Sequence, residues 1–279
     1  MADPAVERVP ALERENRILQ RRLHRLQANV RELEEIQDSN STLLSALLRD
    51  LEAERARSQR LLLNVLPERI VHRLEAGETP IADRHDAVAV LFSDFEGFTG
   101  IAAALAPDVL IAELNELFAG FDGICAGRGV EPLKTVGDAY LAIGGLAGDE
   151  AGAGVAATAD AALEMRDFVG SRAAHAAEWR IRIGIHVGGV VAGVVGATRF
   201  AYDVWGDTVN VASRLETTSD AGMVHVSEEV AAALGDRYRL EARGLVDLKG
   251  KGPTKTFFLL GRSGPDQGEE AGVGAGPLL

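Results

Sequence analysis

The sequence contains one cysteine and no long apolar run, and each shortage excludes a class of protein. Cys125 is the only cysteine in 279 residues, so no disulfide can form within the chain, and a reducing, cytoplasmic setting is expected. Its neighbours follow an apolar helical pattern, which predicts a buried packing role rather than redox chemistry. No uninterrupted apolar span reaches the ~20 residues that a membrane helix needs, and the first residues lack a signal-peptide pattern. The sequence therefore predicts a soluble protein without a membrane span.

Positive charge is also scarce. Lysine and arginine total 29 against 42 aspartates and glutamates, which gives a formal net charge of -13. This balance disfavours nonspecific binding to nucleic acid or to an anionic membrane surface, so a polyanionic ligand must meet local cations or a bound metal. With 47% hydrophobic residues the chain can bury a sizeable core, and we expect one globular domain with extensions.

Glycine is absent from residues 9–65, and proline is absent from this stretch after Pro10. Abundant leucine, glutamate and arginine make the composition typical of a long helix. Leucines recur at positions 12, 19, 26 and 33, and the positions three residues earlier hold Val9, Asn16, Leu23 and Val30. This a/d spacing indicates a coiled coil, and a polar Asn16 at an a position fixes the register of a two-stranded coil. We therefore predict a parallel coiled-coil dimer over residues 1–60.

The apolar seam of the coil weakens at Gln37 and Asn40 and resumes at Leu44. Between Leu51 and Leu61 two heptad frames fit equally well, so the register of the coil is poorly specified there. Two interpretations remain open: a passive dimerisation rod, and a signal-transmitting coil that occupies two registers. The sequence does not identify a regulatory partner.

A short helical connector is predicted over residues 61–85. Pro67 should break or restart the helix, and Gly77 should end it. The globular domain is predicted to cover residues 86–262, and the glycine-rich residues 263–279 are predicted to form a disordered tail.

Strands in the globular region are indicated by short apolar runs that end near glycine. Residues 88–92 have the pattern of a buried strand, and closing strands are predicted at residues 238–242 and 256–260. Two hairpins are predicted, one across Gly137-Asp138 and one across Gly188-Gly189. Helices are predicted at four places, namely residues 107–126, 152–172, 208–217 and 228–234. Strands joined by both helices and hairpins indicate an α+β sandwich with a mostly antiparallel sheet.

Two carboxylates lie at the ends of apolar strands and are candidates for holding a cation. Asp94 follows the buried strand, and Asp138 lies in the first predicted hairpin turn. Oxygen ligands of this kind suit Mg²⁺ or Mn²⁺ shared with substrate phosphates, although turn aspartates also occur as solvated turn formers. Asn210 and Arg214 lie four residues apart, on one face of the predicted helix. Lys249-Gly-Lys-Gly252 forms a cationic loop in which backbone can approach an anion.

Several ordered motifs resemble the catalytic domain of the class III nucleotide cyclases, from about residue 86 to residue 260. The motifs are Phe92-Ser-Asp-Phe-Glu-Gly-Phe-Thr99, Lys134-Thr-Val-Gly-Asp138, Arg182-Ile-Gly-Ile-His186, the segment from Tyr202 to Arg214, and Arg243-Gly-Leu-Val-Asp-Leu-Lys-Gly-Lys-Gly252. The predicted connector resembles the helical transducer that precedes this domain in many relatives. The resemblance implies a ferredoxin-like α/β sandwich. It also implies that two divalent cations, Mg²⁺ or Mn²⁺, are bound by Asp94, Asp138 and the Phe95 carbonyl.

The same resemblance implies the remaining roles at the site. Asn210 would orient the ribose, Arg214 would meet the transferring phosphorus, and Lys249 would bind the terminal phosphates. Lys134 and Asp203 would read the purine edge, where an ammonium and a carboxylate complement the N1 acceptor and the amino donor of adenine. ATP is therefore the expected substrate, and cyclic AMP and pyrophosphate are the expected products. A purely structural ion pair between Lys134 and Asp203 is the alternative.

Class III relatives share their active sites between two subunits, with the metal carboxylates from one and the base and phosphate residues from the other. Because this chain carries both sets, the resemblance implies a homodimer with two equivalent sites. A guanylate cyclase and a catalytically silent nucleotide-binding scaffold are the alternative functions. The turn His186-Val-Gly-Gly189 lacks the arginine that assists the phosphates in some relatives. His186 is expected to be a structural residue at a strand end, and Trp205 to pack in the core or at an interface.

Overall fold

The computed structural model describes residues 4–63, 65–146, 152–172, 177–196 and 200–263, with side chains from residue 14 onward. The chain divides into two compact units, Met1–Gly77 and Glu78–Leu279. Residues 264–279 of the predicted tail lie outside the described residues. Within the described ranges, no helix has both the length and the apolar content needed to cross a membrane.

The first unit is helical. Helix α1 covers Pro4–Leu63 without a break, and helix α2 covers Glu68–Glu75. Pro67 is the N-cap of α2, as the predicted restart of the helix requires, and Gly77 follows α2 with a φ of 77°. The leucine stripe of α1 is open to solvent in the single chain, where Leu19, Leu26 and Leu33 are 56%, 61% and 65% exposed. The long helix is thus confirmed, whereas pairing of two helices stays a prediction.

The second unit alternates strands and helices in chain order. The strands are β1 Ala82–Phe95, β2 Val130–Val136, β3 Ala139–Gly144, β4 Ile181–Val195, β5 Ala201–Trp205, β6 Val224–Ser227, β7 Tyr238–Leu248 and β8 Gly252–Arg262. The helices are α3 Phe98–Ala104, α4 Pro107–Arg128, α5 Ala153–Gly170, α6 Asp207–Thr217 and α7 Glu228–Leu234. The four predicted helices of this region are present. The short α3 was not predicted, because its seven residues are too few for a periodic pattern to stand out.

In the described part of the chain, the strands form one sheet in the order β2-β3-β1-β4-β6-β8-β7, and β5 pairs with β4 off this path. Only the pairing of β4 with β6 is parallel among these described strands. The predicted α+β class with a mostly antiparallel sheet is therefore confirmed. The hairpin at Gly137 is also confirmed, because β2 and β3 pair up to the turn and Gly137 has a φ of 67°.

The predicted second hairpin is wrong. Ile181–Val195 is one continuous strand, β4, which pairs with β1 from its first residue to Gly193. Neither Gly188 nor Gly189 adopts a positive φ. A Cβ added to Gly188 would lie 2.7 Å from the Thr208 hydroxyl oxygen, so this glycine permits close packing rather than a turn. His186 accordingly lies within a strand rather than at its end, and its Nδ1 is 2.8 Å from the Ser227 hydroxyl oxygen.

The core lies on one face of the sheet, beneath α4, α5 and α7. Residues at alternate positions of β1 and β4, such as Leu91 and Ile183, point into this core and are fully buried. Cys125 of α4 is also fully buried there, and burial raises the pKa of its thiol to about 11. Its predicted role as packing is confirmed. The opposite face of β1 and β4 is covered by α6, whose position decides the geometry of the site.

The C-terminal end of α6 is fixed by a buried histidine. His225 of β6 has no exposed surface, and its Nδ1 donates to the Leu215 carbonyl across 2.8 Å. Its other ring nitrogen is buried and has no hydrogen-bond partner among the described residues. Burial, with a smaller effect of Arg243, lowers the pKa of His225 to about 4. The imidazole is therefore neutral wherever the fold is intact at ordinary pH.

Replacing this histidine should flatten the pH dependence of stability. Unfolded His225 takes up a proton near pH 6.5, whereas folded His225 resists protonation until about pH 4, so stability falls as the pH drops through this window. At ~1.4 kcal/mol per pKa unit, the loss is on the order of 3 kcal/mol. His225→Asn keeps a donor for the Leu215 carbonyl and should remove this loss from urea unfolding curves measured at fixed protein concentration.

His72→Asn is the matched control, because the His72 side chain is 66% exposed, and the slope should persist in that variant. An unchanged slope between pH 6.5 and pH 4 in His225→Asn would contradict the assignment.

Candidate active site

Strand alternation brings Asp94 and Arg182 under α6. They are direct cross-strand partners in β1 and β4, on the sheet face opposite the main core. The neighbouring Gly184 lets the helix approach, since an added Cβ would lie 2.1 Å from the backbone nitrogen of Glu216. Glu216 of α6 is itself only 5% exposed. A carboxylate, a guanidinium and a second carboxylate therefore share one covered space.

The two predicted metal carboxylates are neighbours. Asp94 is the last residue but one of β1, and Asp138 lies in the turn between β2 and β3, beside β1 in the sheet. Burial, a hydrogen bond with Asp94 and the charge of Asp94 together raise the pKa of Asp138 to about 6. The backbone N–H of Phe95 also donates to the Asp138 carboxylate. The structure thus places Asp94, Phe95 and Asp138 together.

Arg182 holds one oxygen of Asp94. Its Nη2 lies 3.0 Å from Asp94 Oδ2 and 3.3 Å from Glu216 Oε1. Burial, and secondarily the charge of Asp94, raise the pKa of Glu216 to about 7. Sequence reasoning assigned no role to Arg182 or Glu216. The available signal was a charged residue between two isoleucines of an apolar strand, which indicates a covered polar face.

The second oxygen of Asp94 is available to bind a cation. Asp94 Oδ1 is buried and has no hydrogen-bond partner among the described residues. Buried carboxylate oxygens without partners are costly, and a cation is the natural partner for one. No group of three or more His, Cys, Asp or Glu side chains in the described ranges is arranged to hold a metal ion. Two carboxylates that share a cation with substrate phosphates fit this donor set, because Mg²⁺ is commonly held in that way.

The predicted base readers also meet. Lys134 of β2 forms an ion pair with Asp203 of β5 through Nζ and Oδ2. The other oxygen of Asp203 accepts a hydrogen bond from the Val204 backbone nitrogen across 2.9 Å, which fixes the carboxylate. The side chains of Lys134 and Asp203 are 40% and 20% exposed, so a ligand can reach both.

The outer face of α6 meets the loop between β7 and β8. A Cβ added to Gly250 would lie 3.9 Å from both terminal nitrogens of Arg214, so the guanidinium lies beside this loop. Lys251 of the loop pairs with Asp207 in the first turn of α6. Lys249 is exposed on the same loop, and Asn210 is exposed one turn before Arg214. Arginine, lysine and asparagine thus gather on one side of the helix.

Two residues along a helix correspond to a rotation of ~200°. Glu216 faces the sheet and Arg182, so Arg214, two residues earlier, points to the opposite side of α6. The carboxylate Asp94 and the guanidinium of Arg214 therefore lie on different sides of this helix in one chain.

The second unit thus combines a mostly antiparallel sheet, two neighbouring carboxylates beside the end of β1, and cationic side chains beside α6. Residues 81–261 match the family described as the adenylate and guanylate cyclase catalytic domain. The chain belongs to this class III nucleotide cyclase family.

The relatives include both substrate types. The chain is 42% identical over 230 residues to an adenylate cyclase of Mycobacterium tuberculosis, covering 80% of this chain and 51% of the relative. It is 38% identical over 241 residues to guanylate cyclase 2D of Rattus norvegicus, covering 84% of this chain and 22% of the relative. The chain thus spans about half or less of these relatives' length.

A solved structure supports the fold. The catalytic core of a rhodopsin-guanylyl cyclase with converted specificity, in complex with ATPalphaS, superimposes with a TM-score of 0.61 at 33% identity. The superposition covers 65% of this chain and 98% of the chain in that structure. The architecture predicted from sequence is therefore that of the family's catalytic domain.

Proposed function

We propose that the protein is an adenylate cyclase that converts ATP to 3′,5′-cyclic AMP and pyrophosphate. The ribose 3′-oxygen forms a bond to the α-phosphorus, the bond from that phosphorus to pyrophosphate breaks, and the 3′-hydroxyl proton is released. The relatives include cyclases of both substrate types, so family membership does not select the nucleotide. The choice of ATP rests on the contact between Lys134 and Asp203.

Base selection follows from donor and acceptor chemistry. Adenine presents an acceptor at N1 and a donor at its 6-amino group, which complement the Lys134 ammonium and the Asp203 carboxylate. Guanine reverses both groups and would direct its carbonyl oxygen at the carboxylate and its N1–H at the ammonium. Each reversed contact leaves a polar group unpaired, which costs about 1–3 kcal/mol when the group is buried.

The phosphates would be held from the outer face of α6. Arg214 supplies charge toward the transferring phosphorus, and Asn210, one turn away, orients the ribose. Lys251 is already neutralised by Asp207, whereas Lys249 has no ion-pair partner within the described ranges. The terminal phosphates are therefore assigned to Lys249, and the adjacent Gly250 allows backbone to approach them.

Asp94 and Asp138 would hold two divalent cations, with the Phe95 carbonyl as a further ligand. When bound, such cations lower the pKa of the 3′-hydroxyl and neutralise phosphate charge. The buried, unpartnered Asp94 Oδ1 supports this assignment. Burial and the nearby Asp94 carboxylate raise the pKa of Asp138, and a cation between the two carboxylates would offset their repulsion.

We further propose that two chains share each site. Within one chain α6 separates Arg214 from Asp94, so a second chain must supply the complementary set. The exposed leucine stripe of α1 provides a means of pairing, because solvent-exposed leucines at heptad spacing are buried when two helices coil. Trp205 is 41% exposed, so a core position is excluded in the single chain, and packing at an interface stays a prediction beside the alternative of stacking on the base. The predicted domain limits and the cytoplasmic location also stay predictions.

Guanylate cyclase activity is the second candidate. The 38% identity to a guanylate cyclase favours it, and the Lys134–Asp203 pair opposes it.

The test is product formation from each nucleotide. Purified full-length protein is incubated separately with ATP and GTP in Mn²⁺ or Mg²⁺, and both cyclic nucleotides are quantified by chromatography. We expect cyclic AMP, with at least about a tenfold preference in kcat/KM for ATP, equivalent to ~1.4 kcal/mol. Preferential formation of cyclic GMP would support the second candidate, and no cyclic product under any condition would refute both.

A further inference from the structure

We propose that Glu216 is a positioning residue for the metal carboxylate Asp94. It acts by competing with Asp94 for Nη2 of Arg182, so that the guanidinium does not bind both oxygens of Asp94. This inference rests on the proposed metal role of Asp94. Glu216 lies 3.3 Å from Arg182, and the proposed effect passes through this guanidinium.

The geometry of Arg182 is the first support. A guanidinium facing a carboxylate ordinarily binds both carboxylate oxygens through two parallel hydrogen bonds. Here Arg182 binds only Oδ2 of Asp94, while the same Nη2 lies 3.3 Å from Glu216 Oε1. The Nε of Arg182 is buried and has no hydrogen-bond partner among the described residues. Asp94 therefore keeps Oδ1 free of the guanidinium.

Glu216 is held in a position from which it contacts Arg182. Its second oxygen, Oε2, accepts a hydrogen bond from the Thr217 hydroxyl across 3.2 Å, and its side chain is only 7% exposed. Its backbone nitrogen lies against Gly184, the position that a larger residue would block. Helix packing thus sets the distance from Glu216 to Arg182.

The consequence for a cation follows from charge. Without the Glu216 carboxylate, Asp94 would be the remaining ion-pair partner of Arg182 among the described residues, and Arg182 would draw it into a two-oxygen contact. A divalent cation would then compete with a guanidinium for both Asp94 oxygens. With Glu216 in place, one oxygen of Asp94 stays available.

The decisive measurement is Mn²⁺ binding to the nucleotide-free full-length protein, by electron paramagnetic resonance at pH 8.5. Glu216→Gln keeps the shape and removes the charge, and we expect the Mn²⁺ dissociation constant to rise at least fivefold. Adding Arg182→Gln removes the competing guanidinium, so the double variant should bind within twofold of wild type. A purely structural role for Glu216 predicts no such rescue.

Glu96→Gln is the matched control for charge alone. Glu96 follows β1, is paired with Arg180 at 3.3 Å, and its side chain is 47% exposed. It should change Mn²⁺ affinity less than twofold, and an effect equal to that of Glu216→Gln would overturn the proposal. If Glu216→Gln does not fold, the double variant decides alone, and a fivefold loss of affinity there overturns the proposal.

Asp94→Asn separates this inference from the proposed function. Weak Mn²⁺ binding in Asp94→Asn together with normal binding in Glu216→Gln would overturn the role of Glu216 and leave the metal site standing. Normal binding in Asp94→Asn would overturn both.

Discussion

Chains carrying Asp94→Asn and chains carrying Arg214→Ala should each be nearly inactive, and their co-assembly should restore about a quarter of wild-type activity. Asp94→Asn removes a proposed metal ligand, and Arg214→Ala removes charge aimed at the transition state. Loss of one such electrostatic group typically lowers kcat by about 10² to 10³. Both single variants should keep their folded structure, because Arg214 points toward a loop and the Asp94 change preserves shape.

The fraction restored follows from how dimers assemble. Random pairing of equal amounts makes half of the dimers mixed, and each mixed dimer has one site with both defects and one site with neither. One intact site in half of the dimers is about a quarter of the wild-type number. The two chains are co-expressed with different tags, and the mixed species is purified and assayed, in which case about half of wild-type activity per dimer is expected.

A matched pair of variants tests whether recovery reflects shared sites. Asp94→Asn mixed with Asp138→Ala places both defects in the same half, so every dimer should lack an intact site. No recovery in the first mixture would show that each chain builds its own site. Recovery in the second mixture would show that Asp94 and Asp138 do not serve the same site, which would contradict the proposed arrangement. The positions of Arg214 and Glu216, ~200° apart on α6, are the structural reason to expect sharing.

Local pattern predicted the parts of the fold that depend on neighbouring residues. The seven-residue leucine repeat predicted helix α1, and Pro67 predicted the start of a new helix after it. The Gly137-Asp138 dipeptide between two short apolar runs predicted a hairpin. The turn requires a positive φ, which Gly137 adopts.

The same reasoning failed at Gly188-Gly189, where the two glycines resemble a turn. Their conformation is decided by β1, which is distant in sequence and pairs with β4 on both sides of these glycines, with a register shift opposite them. The space for a side chain at Gly188 is decided by Thr208 of α6. A glycine needed for close packing and a glycine needed for a turn cannot be told apart without the partner element.

The candidate site likewise has residues that the sequence predicted and contacts that only the structure shows. Motifs identified Asp94, Asp138, Lys134 and Asp203, and the structure brings each pair together. The contact of Arg182 with Glu216 was not predictable from sequence. Strand alternation shows only that the Arg182 side chain lies on the sheet face opposite the apolar core. Which helix covers that face is a property of the tertiary structure.

Exchanging the proposed base readers should shift substrate preference toward GTP. The double variant Lys134→Glu with Asp203→Cys presents an acceptor to the N1–H of guanine and a weak donor to its carbonyl oxygen. Two reversed contacts at about 1–3 kcal/mol each correspond to a change in the ratio of kcat/KM for GTP over ATP on the order of 10² or more. Steady-state rates of cyclic GMP and cyclic AMP formation give this ratio directly.

The single variants and a distant ion pair sharpen this test. Lys134→Glu alone places two carboxylates together, so activity with both nucleotides should fall without a switch. Lys255 and Glu228 form a separate exposed pair with Nζ to Oε1 at 2.7 Å, and the same exchange there, Lys255→Glu with Glu228→Cys, should leave the ratio unchanged. If Lys134 and Asp203 form only a structural ion pair, their exchange lowers the melting temperature and both activities together, and the ratio stays constant. A changed ratio therefore requires that these two side chains contact the base, whatever the exchange does to stability.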